Sequence, residues 1–223
     1  MKRITLFAGH YGSGKTNIAI NYARKLKSSG RNTVLADLDI VNPYFRTKDS
    51  AAELAREGIG LVVSEYANSN VDFPALPKEL YATFADQTTY VVADIGGDDR
   101  GALALGRYAP DILAENDYEY LAVINASRPL TRTPSDTVEV LREIEASSSG
   151  LKFTGLVNNT NLGRDTAADD VLTSLGYAAE VARLMALPIR FTACKASLVG
   201  ELEGRIPDLF PLEIQKLYYQ LEK

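Results

Sequence analysis

Residues 9–16 read Gly9-His10-Tyr11-Gly12-Ser13-Gly14-Lys15-Thr16, a complete G-x-x-x-x-G-K-[ST] pattern. An apolar run precedes it (Ile4, Leu6, Phe7, Ala8), and helical spacing follows it (Ile18, Ala19, Tyr22, Ala23, Leu26). Strand, glycine-rich turn and helix in that order are the context in which this pattern cradles phosphate. Gly9, Gly12 and Gly14 carry no Cβ, so the backbone can wrap closely around an anion. Its N–H groups then converge at the positive end of a helix. Lys15 brings a full positive charge to the terminal phosphates and Thr16 offers a hydroxyl to Mg²⁺. His10, Tyr11, Ser13 and Asn17 complete the set expected to surround the phosphates.

Working outward, apolar runs at 3–8, 33–38, 60–64, 90–95, 120–125, 152–158 and 187–191 alternate with helix-like stretches. Those stretches are 15–28, 46–57, 77–86, 101–114, 134–146 and 166–184, with a last one at 211–222. Such alternation predicts an α/β fold, a doubly wound and mostly parallel sheet with helices on both faces. The runs at 90–95 and 153–158 are apolar almost without alternation, as strands buried on both faces are. Thr133-Pro134 reads as a helix start, and Gly30 and Gly150 as helix ends. Nothing resembles a linker or a repeat, so residues 1–223 are expected to form one domain. The irregular stretch 65–77 reads as a surface loop.

Composition narrows the function. With 223 residues and 46% hydrophobic content there is ample material for a buried core. Lys plus Arg number 24 against 29 Asp plus Glu, a formal net charge of -5, which does not suit a dedicated nucleic-acid binder. A first strand near residue 3 leaves no room for a signal peptide, and no apolar run reaches the roughly 18 residues of a membrane span. One cysteine, Cys194, allows no internal disulfide. A cytoplasmic protein is expected.

In open α/β sheets, ligands lie beyond the carboxyl ends of the strands. Polar residues collect there. The second strand ends Asp37-Leu38-Asp39, another ends Asp94-Ile95-Gly96-Gly97, and two more end in Asn125 and Asn158-Asn159. Asp94, closing an apolar strand, has the Walker B arrangement of an acid that holds Mg²⁺. Gly96 and Gly97 would let the following backbone approach a γ-phosphate. Asp37 and Asp39, two residues apart, share a face of an extended chain. Carboxylates so close repel each other unless a cation lies between them. A Mg²⁺ site is therefore expected here, with one of Asp37 and Asp39 orienting water on the metal and the other positioning the attacking water.

The octet, the Asp37-Leu38-Asp39-Ile40-Val41-Asn42 segment and Asp94-Ile95-Gly96-Gly97 together resemble the MinD/ParA and cobyrinic-acid-synthase (CobQ) group of P-loop ATPases. The resemblance is good over roughly residues 2–130. It implies ATP and Mg²⁺ as ligands, with Lys15 on phosphate, Thr16 and Asp37 in the Mg²⁺ shell, Asp39 orienting the hydrolytic water, Asp94 as Walker B, and Asn158 or Asn159 reading adenine. One position departs from the pattern. That group carries a second lysine directly after the first glycine of the loop, reaching across a face-to-face dimer. Here His10 stands in its place, and a histidine side chain has a shorter reach and no permanent charge.

Asn158-Asn159-Thr160-Asn161 lacks the Lys and Asp of a guanine-reading Asn-Lys-x-Asp, and an amide suits the adenine edge. ATP is therefore preferred to GTP. Arg46, Arg100, Arg128 and Arg132 follow strand ends, where a guanidinium can meet phosphate or simply pair on the surface. Asn42-Pro43-Tyr44-Phe45-Arg46 reads as a switch segment or as core. The 211–222 stretch balances Glu213 and Glu222 against Lys216 and Lys223, so it is expected to pack on its own sheet and not on a membrane. The leading reading is a Mg-dependent ATPase acting as a nucleotide-driven switch on an unknown protein or small-molecule partner, with a nucleotide-dependent homodimer open. The alternative is an ATP-dependent ligase of the dethiobiotin or cobyrinic-acid kind. A metal-delivery role lacks paired soft ligands.

Overall fold

The computed structural model describes residues 1–39, 47–63, 78–96 and 105–214. Eight strands form one sheet in the order β3-β2-β4-β1-β5-β6-β7-β8. They are β1 (Ile4–Ala8), β2 (Thr33–Leu38), β3 (Gly60–Val63), β4 (Tyr90–Ile95), β5 (Tyr118–Ile124), β6 (Gly155–Asn158), β7 (Ile189–Lys195) and β8 (Leu209–Leu212). Every neighbouring pair is parallel.

The helices used below are α1 (Lys15–Ser28), α2 (Thr47–Arg56), α3 (Lys78–Ala85), α4 (Ala109–Glu115), α5 (Pro134–Ser147) and α6 (Ala168–Met185). Alternation along each strand divides them between the two faces. Phe7, Leu35, Val92, Val123 and Val157 pack with Ile18, Tyr22 and Leu26 of α1 and Leu54 of α2. Ile4, Leu6, Ala36, Ala93 and Ala122 point the other way, into a core shared with Leu80 of α3, Ile112 of α4, Leu141 of α5 and Val181 of α6. This is the doubly wound arrangement expected from the sequence. The punctuation also agrees: Thr133 accepts the Asp136 N–H at 3.2 Å ahead of Pro134, and Gly30 and Gly150 have φ of 81° and 92° beyond α1 and α5.

The far end of the chain differs from expectation. Leu209–Leu212 is a strand, not the start of a helix. Pro211 cannot donate to a ladder and suits an outermost strand, and Phe210 and Leu212 turn inward while Pro211 faces out. Strand β7 also runs on to Lys195, past the expected end at 191. The expected loop at 65–77, the segment 42–46 and the C-terminal residues 215–223 lie outside the described residues, as do Gly97 and Arg100. No helix among the described residues is long and apolar enough to cross a membrane.

Candidate functional site

Strand β1 is central and wholly buried, and the glycine-rich loop leaves its carboxyl end. Gly9 passes so close to β5 that a Cβ there would lie 2.3 Å from the Val123 carbonyl oxygen. Only glycine fits that crossing. The loop then turns, with the Ser13 N–H donating to the His10 carbonyl at 3.0 Å. Gly14, at φ 92°, hands the chain to α1.

Neighbouring loops fix the orientation of this backbone. The Ser13 carbonyl accepts from Asn159 Nδ2 at 2.7 Å, and the Gly12 carbonyl accepts from Arg128 Nε at 2.6 Å. In a planar trans peptide the N–H points opposite to the carbonyl. Holding the Ser13 oxygen outward therefore turns the Gly14 N–H inward. Helix α1 has no side-chain N-cap and no acidic residue in its first turn, so no side chain of that turn opposes an anion at its positive end. Lys15 is 5% exposed, and its ammonium lies 3.4 Å from the His10 carbonyl, arching over the loop. Ser13 Oγ and His10 Nδ1 are buried with no hydrogen-bond partner among the described residues. An anion cradle explains these polar groups; a plain turn does not.

On the other side of β1 lie the carboxylates. Asp94 is in register with Phe7 of β1 and with Asp37 of β2. Alternation places Asp94 on the face of Val92 and Asp37 on that of Leu35, both of which pack with α1. The two buried acids thus stand side by side at the strand ends, on the face that carries the N-terminus of α1 and Thr16. The Asp39 N–H donates to Asp37 Oδ1 at 3.1 Å, and Asp39 itself is half-buried. Among the described residues no group of three His, Cys, Asp or Glu could hold a metal. Mg²⁺ does not need one: it takes one or two carboxylates, a hydroxyl, waters and substrate oxygens. Thr16, Asp37 and Asp94 supply such hard oxygen donors.

Toward β6, β7 and β8 a cleft of about 640 Å³ opens beside the loop. His10, Tyr11, Gly12, Gly14, Asn17 and Asn159 line it from one side. Its far wall includes Thr160, Asn161, Cys194, Lys195, Leu212 and Ile214. The two asparagines at the end of β6 part company here. Asn158 is fully buried: its Nδ2 donates to Ser174 Oγ of α6 at 2.8 Å and its Oδ1 accepts from the Thr160 N–H at 3.2 Å, and it does not line the cleft. Asn159 holds the glycine-rich loop and borders the cleft. The wall from β7 and β8 was not read from the sequence. The β-branched and apolar run Ile189–Cys194 and the apolar-polar alternation around Pro211 were the available signals.

No family model matches the sequence, and no curated protein matches it. Solved structures do. The chain is similar to chloroplast FtsY from Physcomitrella patens, with a TM-score of 0.59 and 15% identity over 86% of this chain and 58% of that one. It is similar to the cell division protein FtsY from Thermotoga maritima, with a TM-score of 0.59 and 16% identity over 85% and 60% of the two chains. The signal recognition particle receptor FtsY from Elizabethkingia anophelis, solved in complex with GDP, gives 0.56 and 16% over 86% and 57%. The chain thus spans less than two thirds of these proteins. At such identities the likeness speaks to fold, and the fold is that of an α/β P-loop nucleoside triphosphatase.

Proposed function

We infer that this chain is a Mg²⁺-dependent ATPase of the MinD/ParA type, using ATP binding and hydrolysis to switch a partner. One observation carries the reading: an uncapped helix N-terminus and buried lysine lie beside two carboxylates in register on adjacent strands. Lys15, the α1 amides and the inward N–H of Gly14 hold the phosphates. Thr16, Asp37 and Asp94 hold Mg²⁺, which when bound neutralises charge on the phosphate oxygens. Asp39 orients water toward the terminal phosphate.

The base is adenine. The cleft is bordered by amides and hydroxyls, with no carboxylate among its described lining residues to accept from the paired N–H groups of guanine. The GDP in one structural neighbour makes guanine the second reading. Calorimetry with Mg-ATP and Mg-GTP tests both. ATP is expected to bind at least tenfold tighter than GTP. Lys15→Ala is expected to weaken Mg-ATP by at least about tenfold, since losing a charge-assisted hydrogen bond costs about 1.5–3 kcal/mol. No binding of either nucleotide by the wild-type chain defeats the proposal.

A further inference from the structure

The site contains a second cation that the loop motif does not supply. Arg128 is half-buried, borders the cleft, and lies against the phosphate loop through its Nε bond to the Gly12 carbonyl. Among the described residues it has no carboxylate within ion-pair distance. The other well-covered arginines do: Arg3 pairs with Glu115, and Arg24 with Glu53 and Glu57. A partly desolvated guanidinium without a counter-ion is unfavourable unless an anion joins it.

The chain works to hold Arg128 there. Asn125 Oδ1 accepts the Ser127 N–H at 2.9 Å and its carbonyl accepts Thr131 Oγ1 at 2.7 Å, closing a tight turn after β5. The Ala126 N–H donates to Thr160 Oγ1 at 3.1 Å, tying that turn to the loop after β6. Pro129 restricts the backbone of Arg128 before it to the extended region, and the Tyr177 hydroxyl donates to the Thr131 carbonyl at 3.0 Å. Arg128 lies against Gly12, where a Cβ would stand in ordinary contact at 3.4 Å from Nε and 3.5 Å from Cδ. Of the five guanidinium N–H donors, Nε is taken by Gly12, and among the described residues Nη1 reaches only the Ser127 carbonyl at 3.5 Å and Nη2 makes no hydrogen bond. The other cleft-lining cation, Lys195, is turned away to the Arg164 carbonyl at 2.7 Å.

We propose that Arg128 is a second phosphate ligand of this site, a guanidinium supplied from the same chain that engages the nucleotide's polyphosphate beside Lys15. The inference rests on the nucleotide reading above. It gives the site a second permanent charge besides that of Lys15.

The test is calorimetric titration of the full chain, wild-type, Arg128→Ala and Arg128→Lys, with Mg-ATP and with Mg-tripolyphosphate, at low and high salt. Tripolyphosphate has neither base nor ribose. Arg128→Ala is expected to weaken both ligands by at least about tenfold and to flatten the salt dependence of binding, because one charge is gone. Arg128→Lys keeps the charge and is expected to retain the wild-type salt dependence with intermediate affinity. Melting curves of the three proteins separate folding from binding. Wild-type affinity in Arg128→Ala overturns the inference alone. So does a loss confined to Mg-ATP, which would assign Arg128 to the base or ribose, and so does an unaltered salt dependence. If the wild-type chain binds neither ligand, the nucleotide reading falls and this inference falls with it.

Discussion

Asp37 and Asp39 are two residues apart but sit in different surroundings. Asp37 is 3% exposed and receives the Asp39 N–H, whereas Asp39 is half-buried where the described backbone leaves the strand. The deeper acid suits a fixed charge, the shallower one a group that meets water. Asp39→Asn is therefore expected to bind Mg-ATP within about threefold of wild-type and to lose hydrolysis by about 10² or more, the usual contribution of a positioned base. Single-turnover measurement decides it, and wild-type turnover would refute the assignment. At this scale the sequence was readable where chemistry is contiguous. The octet carries its whole pattern in eight consecutive residues. Adjacent residues of a strand point to opposite faces, so choosing between Asn158 and Asn159 required the pairing of β6 with its neighbours and the position of Ser174. Arg128 was visible only as one of four arginines past strand ends. Whether a cation has a counter-ion is a tertiary fact.

Among the elements, β1 is anchored at its amino end as firmly as its carboxyl end is left open to ligand. Arg3, 4% exposed, pairs with Glu115 of α4 and donates to the carbonyls of Phe84 at 2.7 Å, Thr89 at 2.9 Å and Asp86 at 3.0 Å. That junction stitches α3, β4 and α4 to the central strand. Asp86 closes it from outside. The Thr89 hydroxyl, then the Thr88 hydroxyl and Thr88 N–H, donate to its carboxylate and lower its pKa from 3.8 to about 2. A depressed carboxylate stabilises the folded state above its unfolded pKa and loses that contribution as pH falls through the folded value. Asp86→Asn is thus expected to lower the melting temperature above pH 4 and to narrow its difference from wild-type between about pH 4 and pH 2. A pH-independent difference would assign the carboxylate no such role. Strand β8 shows the limit of periodicity: four residues containing a proline are too short to declare a period, and their pairing with β7 settles the matter.

For the whole molecule, the alternation of apolar runs and helical stretches was enough to specify a parallel sheet covered on both faces, because each crossover must return a strand to the same sheet edge-on. Under the proposed function, ligand binding at its carboxyl end would draw on β1, β2, β4, β5 and β6 together and should register as global stability. Mg-ATP at about a hundredfold over its Kd adds about 2.7 kcal/mol, which for a chain of this size raises Tm by roughly 5–11 °C. Differential scanning fluorimetry is expected to show that rise in wild-type and at most about half of it in Lys15→Ala; equal shifts in both would remove the lysine from the site. The clasp between Asn21 and Glu213 carries a further consequence. Asn21 Nδ2 donates to the Glu213 carbonyl at 3.0 Å, and the Glu213 N–H returns to Asn21 Oδ1 at 3.0 Å. Leu212 and Ile214 on either side of Glu213 wall the cleft opened by residues 9–17. Early and late residues of the chain meet over one cavity, so during synthesis on the ribosome the octet emerges long before its pocket can be completed.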